Sequence, residues 1–163
     1  MGYSLIYADP PWEYGNTISN GAAENHYGTM KLIDIKRLPV WELAAEDSVL
    51  AMWFTGTHTR EAIELAEAWG FKVRTMKGFT WHKTNKHKGN SAIGMGHMTR
   101  GNSEDMLFAV KGKMLKRMNA GICQLQIFPR MEHSAKPPEF RDLLVQLVGD
   151  KAAVRQMLVS HLR

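Results

Sequence analysis

Two adjacent prolines stop the first apolar run of this chain. Residues 3–8 (Tyr-Ser-Leu-Ile-Tyr-Ala) are apolar or aromatic apart from Ser4, and Asp9-Pro10-Pro11-Trp12 follows without a gap. Proline donates nothing to a strand ladder and fixes its own φ, so a strand entering this pair has to end and turn. The run therefore reads as a short buried strand that delivers an aspartate, two rigid residues and an indole to one end of a sheet.

The same signal recurs along the chain. Residues 48–55, 72–81, 106–110 and 124–128 are further strand candidates, the second of these with a break at Gly78. Residues 31–38 and 40–45 read as short helical pieces divided by Pro39. Residues 57–69 carry Ala62, Ile63, Leu65, Ala66 and Trp69 at helical spacing, with Gly70 as the stop. Residues 137–148 place Phe140, Leu143, Leu144 and Leu147 on one face of a helix opened by proline and closed at Gly149. Trp53, Trp69 and Trp81 lie in or beside apolar runs and are assigned to the core. Strands alternating with helices imply an α/β unit with a mostly parallel sheet. Ligands of such sheets sit beyond the carboxyl ends of the strands, which is where Asp9 to Trp12 fall. Residues 13–29 and 82–102 are long polar loops of the kind that carry function.

At 163 residues, with no repeat and no linker, one domain spanning 1–163 is expected, and 44% apolar with 23% charged residues is ordinary globular composition. No segment reaches the roughly 18 apolar residues of a membrane span, and the N-terminus enters directly on the first strand, so a cytoplasmic protein without membrane contact is expected. Cys123 is the single cysteine, and the seven histidines show no ligand spacing, so no metal site is expected. The net charge of +5 is unevenly spread. Between Trp69 and Met131 the only acids are Glu104 and Asp105, against twelve lysines and arginines. A one-signed stretch of this kind suits a polyanion held through its phosphates, and it equally suits a soluble basic face with no partner.

Asp9, Pro10, Pro11 and Trp12 form a combination that can activate an exocyclic amine. Such an amine is a poor nucleophile because its lone pair is delocalised into the ring. A carboxylate accepting one amine hydrogen and a backbone carbonyl accepting the other would turn the lone pair toward a donor and stabilise positive charge as it develops. Asp9 supplies the first acceptor and the Pro10 carbonyl the second. Trp12 offers a flat face for stacking on a base drawn out of its strand. The bland alternative is a strand-ending turn followed by a core tryptophan.

The chain also resembles a known family, through ordered blocks: residues 6–12 (Ile-Tyr-Ala-Asp-Pro-Pro-Trp), 26–30 (His-Tyr-Gly-Thr-Met), 50–53 (Leu-Ala-Met-Trp), 67–71 (Glu-Ala-Trp-Gly-Phe), 81–83 (Trp-His-Lys), 94–100 (Gly-Met-Gly-His-Met-Thr-Arg) and 132–137 (Glu-His-Ser-Ala-Lys-Pro). They resemble the prokaryotic and phage branch of the DPPW-motif adenine methyltransferases, the family that includes the catalytic subunit of the eukaryotic messenger-RNA adenosine methyltransferase. The resemblance implies a Rossmann-like S-adenosylmethionine-dependent methyltransferase domain acting on the N6 amine of adenine in nucleic acid, DNA favoured over RNA. Asp9 to Trp12 would be the catalytic loop, with Asp9 also near the cofactor's sulfonium. Lys136, with Ser134 and His133 in the same block, would lie on the cofactor's carboxylate side, where a lysine before a helix N-terminus is suited to an anion. Tyr27 and His26 would close over base or cofactor. Arg100 and Lys83 would meet the nucleic acid, Glu104 orienting Arg100. Read without the resemblance, the same residues fit packing (His26, Tyr27) or an ordinary exposed surface (Lys136, Arg100).

The tail departs from the family. After Gly149-Asp150 the expected Glu-Leu-Phe-Ala-Arg-like strand is absent, and residues 151–163 read Lys-Ala-Ala-Val-Arg-Gln-Met-Leu-Val-Ser-His-Leu-Arg. Val154, Met157, Leu158 and Leu162 stand at helical spacing. The expectation is a domain atypical from about residue 151, lacking its last strand or strands, with a helix in their place. Such a chain would bind cofactor weakly and complete its pocket by homo- or hetero-oligomerisation. The alternative function is accordingly a catalytically impaired, methyltransferase-like subunit that holds nucleic acid or a partner.

Overall fold

A computed structural model describes residues 2–13, 29–96, 98–132 and 135–149, and the backbone of 154–158. The first apolar run forms β1 (Tyr3–Asp9), which stops at the prolines. Two short helices follow, α1 (Leu32–Lys36) and α2 (Val40–Leu43), and then β2 (Ala44–Phe54). A 3-10 turn at Gly56–His58 leads into α3 (Thr59–Ala68), and β3 (Lys72–Thr84) runs into the long connection to β4 (Ser103–Lys111). The described order ends with β5 (Leu125–Pro129), α4 (Glu139–Val148) and β6 (Val154–Leu158).

These strands make one six-stranded sheet in the order β5-β3-β4-β2-β1-β6. Pairs β1/β2, β1/β6 and β3/β5 are parallel, and β4 runs antiparallel to both β2 and β3. The sheet is thus mixed: three of its five pairings are parallel, as expected, and β4 is the one reversed strand among those described. No helix is formed between β3 and β4 among the described residues, so the chain does not make the crossover that a parallel pair requires, and β4 returns beside β3 in the opposite sense.

The tail expectation is corrected. Residues 154–158 are extended and pair with β1 from Leu5↔Val154 to Asp9↔Leu158. β1 lies inside the sheet, and without β6 its backbone donors and acceptors on that side would form an open edge. That unpaired edge outweighs the helical spacing of Val154, Met157 and Leu158, and Leu162 lies outside the described residues. A strand therefore stands beside β1 in place of the expected helix.

Both faces of the centre are covered, which explains why β1 and β2 read as continuous apolar runs. Alternate residues of β1 point to opposite sides. Ile6 and Ala8 join Leu50, Met52, Leu107 and Ala109 beneath α1 and α3, which contribute Ile35, Ala62, Leu65 and Ala66. Leu5 and Tyr7 join Ala51, Trp53, Phe79, Trp81 and Met106 beneath α4, which contributes Phe140 and Leu144. Phe140 meets Trp53 edge-on at 4.8 Å between ring centroids and touches Phe79 and Phe128 in the same manner. Such contacts fix the height of α4 on the sheet, and therefore the place of Lys136, which stands just before it. Among the described residues no helix is long and apolar enough to cross a membrane.

Candidate active site

β1, β2, β3 and β5 all run toward one edge of the sheet, and β4 begins there. At that edge Asp9 closes β1, Lys83 stands one residue before the end of β3, and Glu104 is the second residue of β4. Lys136 arrives from the other side, immediately before Pro137-Pro138 and α4. Side chains from four parts of the sequence meet as a result. The Lys136 ammonium donates to Asp9 Oδ2 at 2.9 Å and lies 3.3 Å from Glu104 Oε2. Lys83 Nζ holds the other oxygen of Glu104, Oε1. The order along this network is Asp9, Lys136, Glu104, Lys83, with charges alternating in sign.

Aromatic rings floor the network. Lys136 Nζ sits 5.7 Å from the centre of the Trp53 ring, and Lys83 Nζ sits 5.0 Å from that of Trp81. The Trp53 indole N–H donates to the Tyr7 hydroxyl at 2.7 Å, so both polar edges are satisfied while the ring face stays available to the cation. Burial pushes the Tyr7 phenol up to about 12, keeping it neutral.

Burial and charge act differently on the two carboxylates. Burial raises the Asp9 carboxyl above its ordinary range, and the attraction of Lys136 only partly opposes it. Glu104 feels the same upward push from burial, but Lys136 and Lys83 together outweigh it and hold this carboxyl below its ordinary range. Burial pulls the Lys136 ammonium down, but Asp9 and Glu104 more than compensate, so it is a firmer cation than a free lysine. Among the described residues Asp9 Oδ1 accepts no hydrogen bond, so one carboxylate oxygen is left for a ligand.

The Pro-Pro step forms a tight turn. The Trp12 N–H donates to the Pro10 carbonyl at 2.9 Å, spanning Pro11, and Met30 N–H donates to the Pro11 carbonyl at 3.0 Å. Fixed φ at Pro11 suits this three-residue reversal. The Pro10 oxygen thereby uses one lone pair and retains the second. Trp12 is only 6% exposed; its indole N–H donates to the Trp53 carbonyl and its ring stacks on His58 at 5.5 Å. One face of Trp12 is thus occupied by His58 and the ring is buried, so stacking on a base would require that face to be freed.

Other expected site residues fall elsewhere. His26 and Tyr27, like His133 and Ser134, lie outside the described residues. Arg100 is exposed, with Nη1 3.7 Å from Met95 Sδ, and has no bond to Glu104. The expected Glu104–Arg100 pairing is therefore corrected: Glu104 alternates inward on β4, and the inward lysines 83 and 136 reach it first. Tyr7 and Trp53, core residues by their place in apolar runs, also border the site. Their signal is the period of two: Tyr7 stands two residues before Asp9, on the same face of β1.

The MT-A70 family profile matches residues 3–158, from the first strand through the last. The chain belongs to the MT-A70 family. It is also 33% identical over 154 residues to the type II methyltransferase M.MunI of Mycoplasma sp, an alignment covering 83% of this chain and 63% of that protein. The chain thus spans somewhat less than two thirds of that relative's length. The match through residue 158 agrees with β6 being part of the shared fold.

Proposed function

We propose that this MT-A70 domain is a methyltransferase of Rossmann-like type that transfers the methyl group of S-adenosylmethionine to the N6 amine of adenine in DNA. The observation that carries this reading is Asp9: a carboxylate with one oxygen unengaged among the described residues, at the exit of an interior strand, one residue from a carbonyl whose direction is fixed. Asp9 accepts one hydrogen of the amine, and the second lone pair of the Pro10 carbonyl accepts the other. Two acceptors in that relation turn the nitrogen lone pair out of conjugation and stabilise the charge that develops as the N–C bond forms.

When bound, S-adenosylmethionine supplies a methyl group already attached to a sulfonium leaving group. The residues present fit such a ligand. Asp9 Oδ1 suits a cationic centre, and Lys136, just before a ten-residue helix, suits a carboxylate. Lys136 holds Asp9 in place, and Glu104 and Lys83 hold Lys136. The methyltransferase named among the relatives supports the reaction class, and the basic stretch through residues 72–100 supports a nucleic-acid substrate. Preference for DNA rests on the resemblance to prokaryotic and phage members.

The reading as an impaired subunit rests on a tail lacking the expected strand, and the pairing of β6 with β1 weighs against it. The test is transfer of a labelled methyl group to unmethylated DNA, followed by nucleoside analysis, with calorimetry on the cofactor alone. N6-methyladenine is the expected product. N4-methylcytosine would move the target to another exocyclic amine. Transfer to RNA alone would overturn the DNA assignment, and absence of both transfer and cofactor binding would return the chain to the subunit reading.

A further inference from the structure

The connection between β3 and β4 is folded more tightly than a loop serving only to link two strands. Thr84 and Ser91 form an isolated bridge, Ala92 N–H donates to the Lys83 carbonyl, and Lys83 N–H donates to that of Asn102. Farther out, Gly94 N–H donates to the Gly101 carbonyl at 2.6 Å and closes a neck. Side chains at this neck would be crowded: a Cβ on Gly94 would lie 3.1 Å from the Gly101 oxygen, and one on Gly101 3.0 Å from the Met95 oxygen. The neck closes a small tip that presents apolar side chains outward. Met95 is 86% exposed and Met98 98%, with Ile93 standing exposed at the base. Arg100 joins them, its guanidinium against the Met95 sulfur.

Met95 and Met98 take no part in the core, and with Ile93 they make a local apolar projection on an otherwise polar connection. Charge identifies the partner. No aspartate or glutamate occurs between Phe71 and Ser103, whereas Lys86, Lys88 and Arg100 flank the tip. A basic setting repels another copy of the same surface and attracts phosphates. The neck of this tip is near the site, since Gly101 precedes Glu104 by three residues and three residues span at most about 10 Å.

We propose that Met95 and Met98 form a wedge that enters the base stack of duplex DNA beside the target nucleotide, while Arg100, Lys86 and Lys88 hold the flanking phosphates. Unbranched, apolar side chains inserted between base steps fill the space left by an extruded base and unstack its neighbours. The inference rests on the base-modifying reading above, because only an extruded base leaves such a space.

The test uses the whole chain and its Met95→Ser/Met98→Ser variant. Binding to duplex DNA is read by fluorescence anisotropy, unwinding by the linking number of closed circular DNA resealed in the presence of protein, and transfer by labelled methyl groups. The expected result is anisotropy affinity within about threefold of the parent, with unwinding and transfer each reduced at least tenfold. Equal unwinding by both proteins, or none by either, overturns the wedge. Self-association by the parent that the variant loses in sedimentation overturns it in favour of a contact between copies. Unwinding lost in the variant, in a parent that transfers no methyl group, leaves the wedge standing and removes the methyltransferase reading.

Discussion

Lys136 Nζ lies 2.9 Å from Asp9 Oδ2 across 127 positions of sequence, and this bond joins the strand that opens the domain to the helix that nearly closes it. Neither partner is fully exposed, with the lysine side chain 12% accessible. The pair therefore does what a surface ion pair does not: it fixes the orientation of a carboxylate against a cation held from behind by Glu104 and Trp53.

Asp9→Asn is expected to keep the fold and lose at least about a hundredfold in methyl transfer, the scale of removing one hydrogen-bonding group that acts in the transition state. The amide matches the carboxylate in shape but donates from one side and carries no charge. Transfer within a few-fold of the parent in the labelled-methyl assay would take Asp9 out of the reaction.

Lys136→Met should be destabilising at neutral pH by about 1–3 kcal/mol, less than a fully buried pair because some solvent reaches the site. Asp9 and Glu104 then face each other without their shared cation, and both carboxyls rise. Groups whose folded-state pKa is raised contribute stability only below it, so the deficit should shrink as pH falls. Thermal melts of parent and variant from pH 7.5 to 4.5 would show the gap closing. A gap that widens in acid would contradict this electrostatic account.

Asp9 titrates above the ordinary aspartate range of about 4 because burial disfavours its charge, so the acid limb of kcat/KM is expected above that pH. Glu104 lies nearby and adds to the upward shift. In Glu104→Gln the negative neighbour is gone and Lys136 is left to Asp9, so the limb should move to lower pH. A pH profile that stays in place or moves up would sever the proposed coupling. For stability the two carboxyls act oppositely. The raised Asp9 contributes below its unfolded value and is lost as pH rises through its folded one. The lowered Glu104 contributes above its unfolded value and is lost as pH falls through its folded one.

Gly78→Ala is expected to cost about 1–3 kcal/mol, the range of overpacking. Strand β3 passes through this position with a register shift, and a Cβ here would meet the Phe108 ring at 2.6–2.7 Å. Phe108 is pinned in turn by its edge contact with Phe79. Chemical denaturation should show the loss, and adding Phe108→Ala should make the Gly78→Ala step smaller. Independent, additive costs would place the strain elsewhere.

Lys86→Gln/Lys88→Gln should flatten the salt dependence of duplex binding by about one unit of log–log slope for each phosphate no longer neutralised. Lys83, though part of the same basic run, is bound to Glu104, so its replacement should change transfer more than salt slope. Binding isotherms from low to moderate salt separate the two. A slope that responds to Lys83 alone would place the phosphate footprint over the site itself.

Much of this molecule is written locally. Two prolines end β1 wherever the rest of the chain goes, and the helical spacing around Leu65 and Leu144 locates α3 and α4, because these are constraints that act within a few residues. Asp9 and Lys136 can each be singled out in the sequence, Lys136 only through the resemblance. Their direct contact cannot, since it depends on α4 being set on the sheet by Phe140. The partner of Glu104 escapes a local reading for the same reason: sequence proximity favours Arg100, and strand alternation turns Glu104 toward Lys83 and Lys136 instead. The reversal of β4 and the extended form of residues 154–158 are likewise decided by pairing. A short segment with mixed local preference takes the conformation that completes its neighbour's backbone hydrogen bonds, and only the assembled sheet supplies that neighbour.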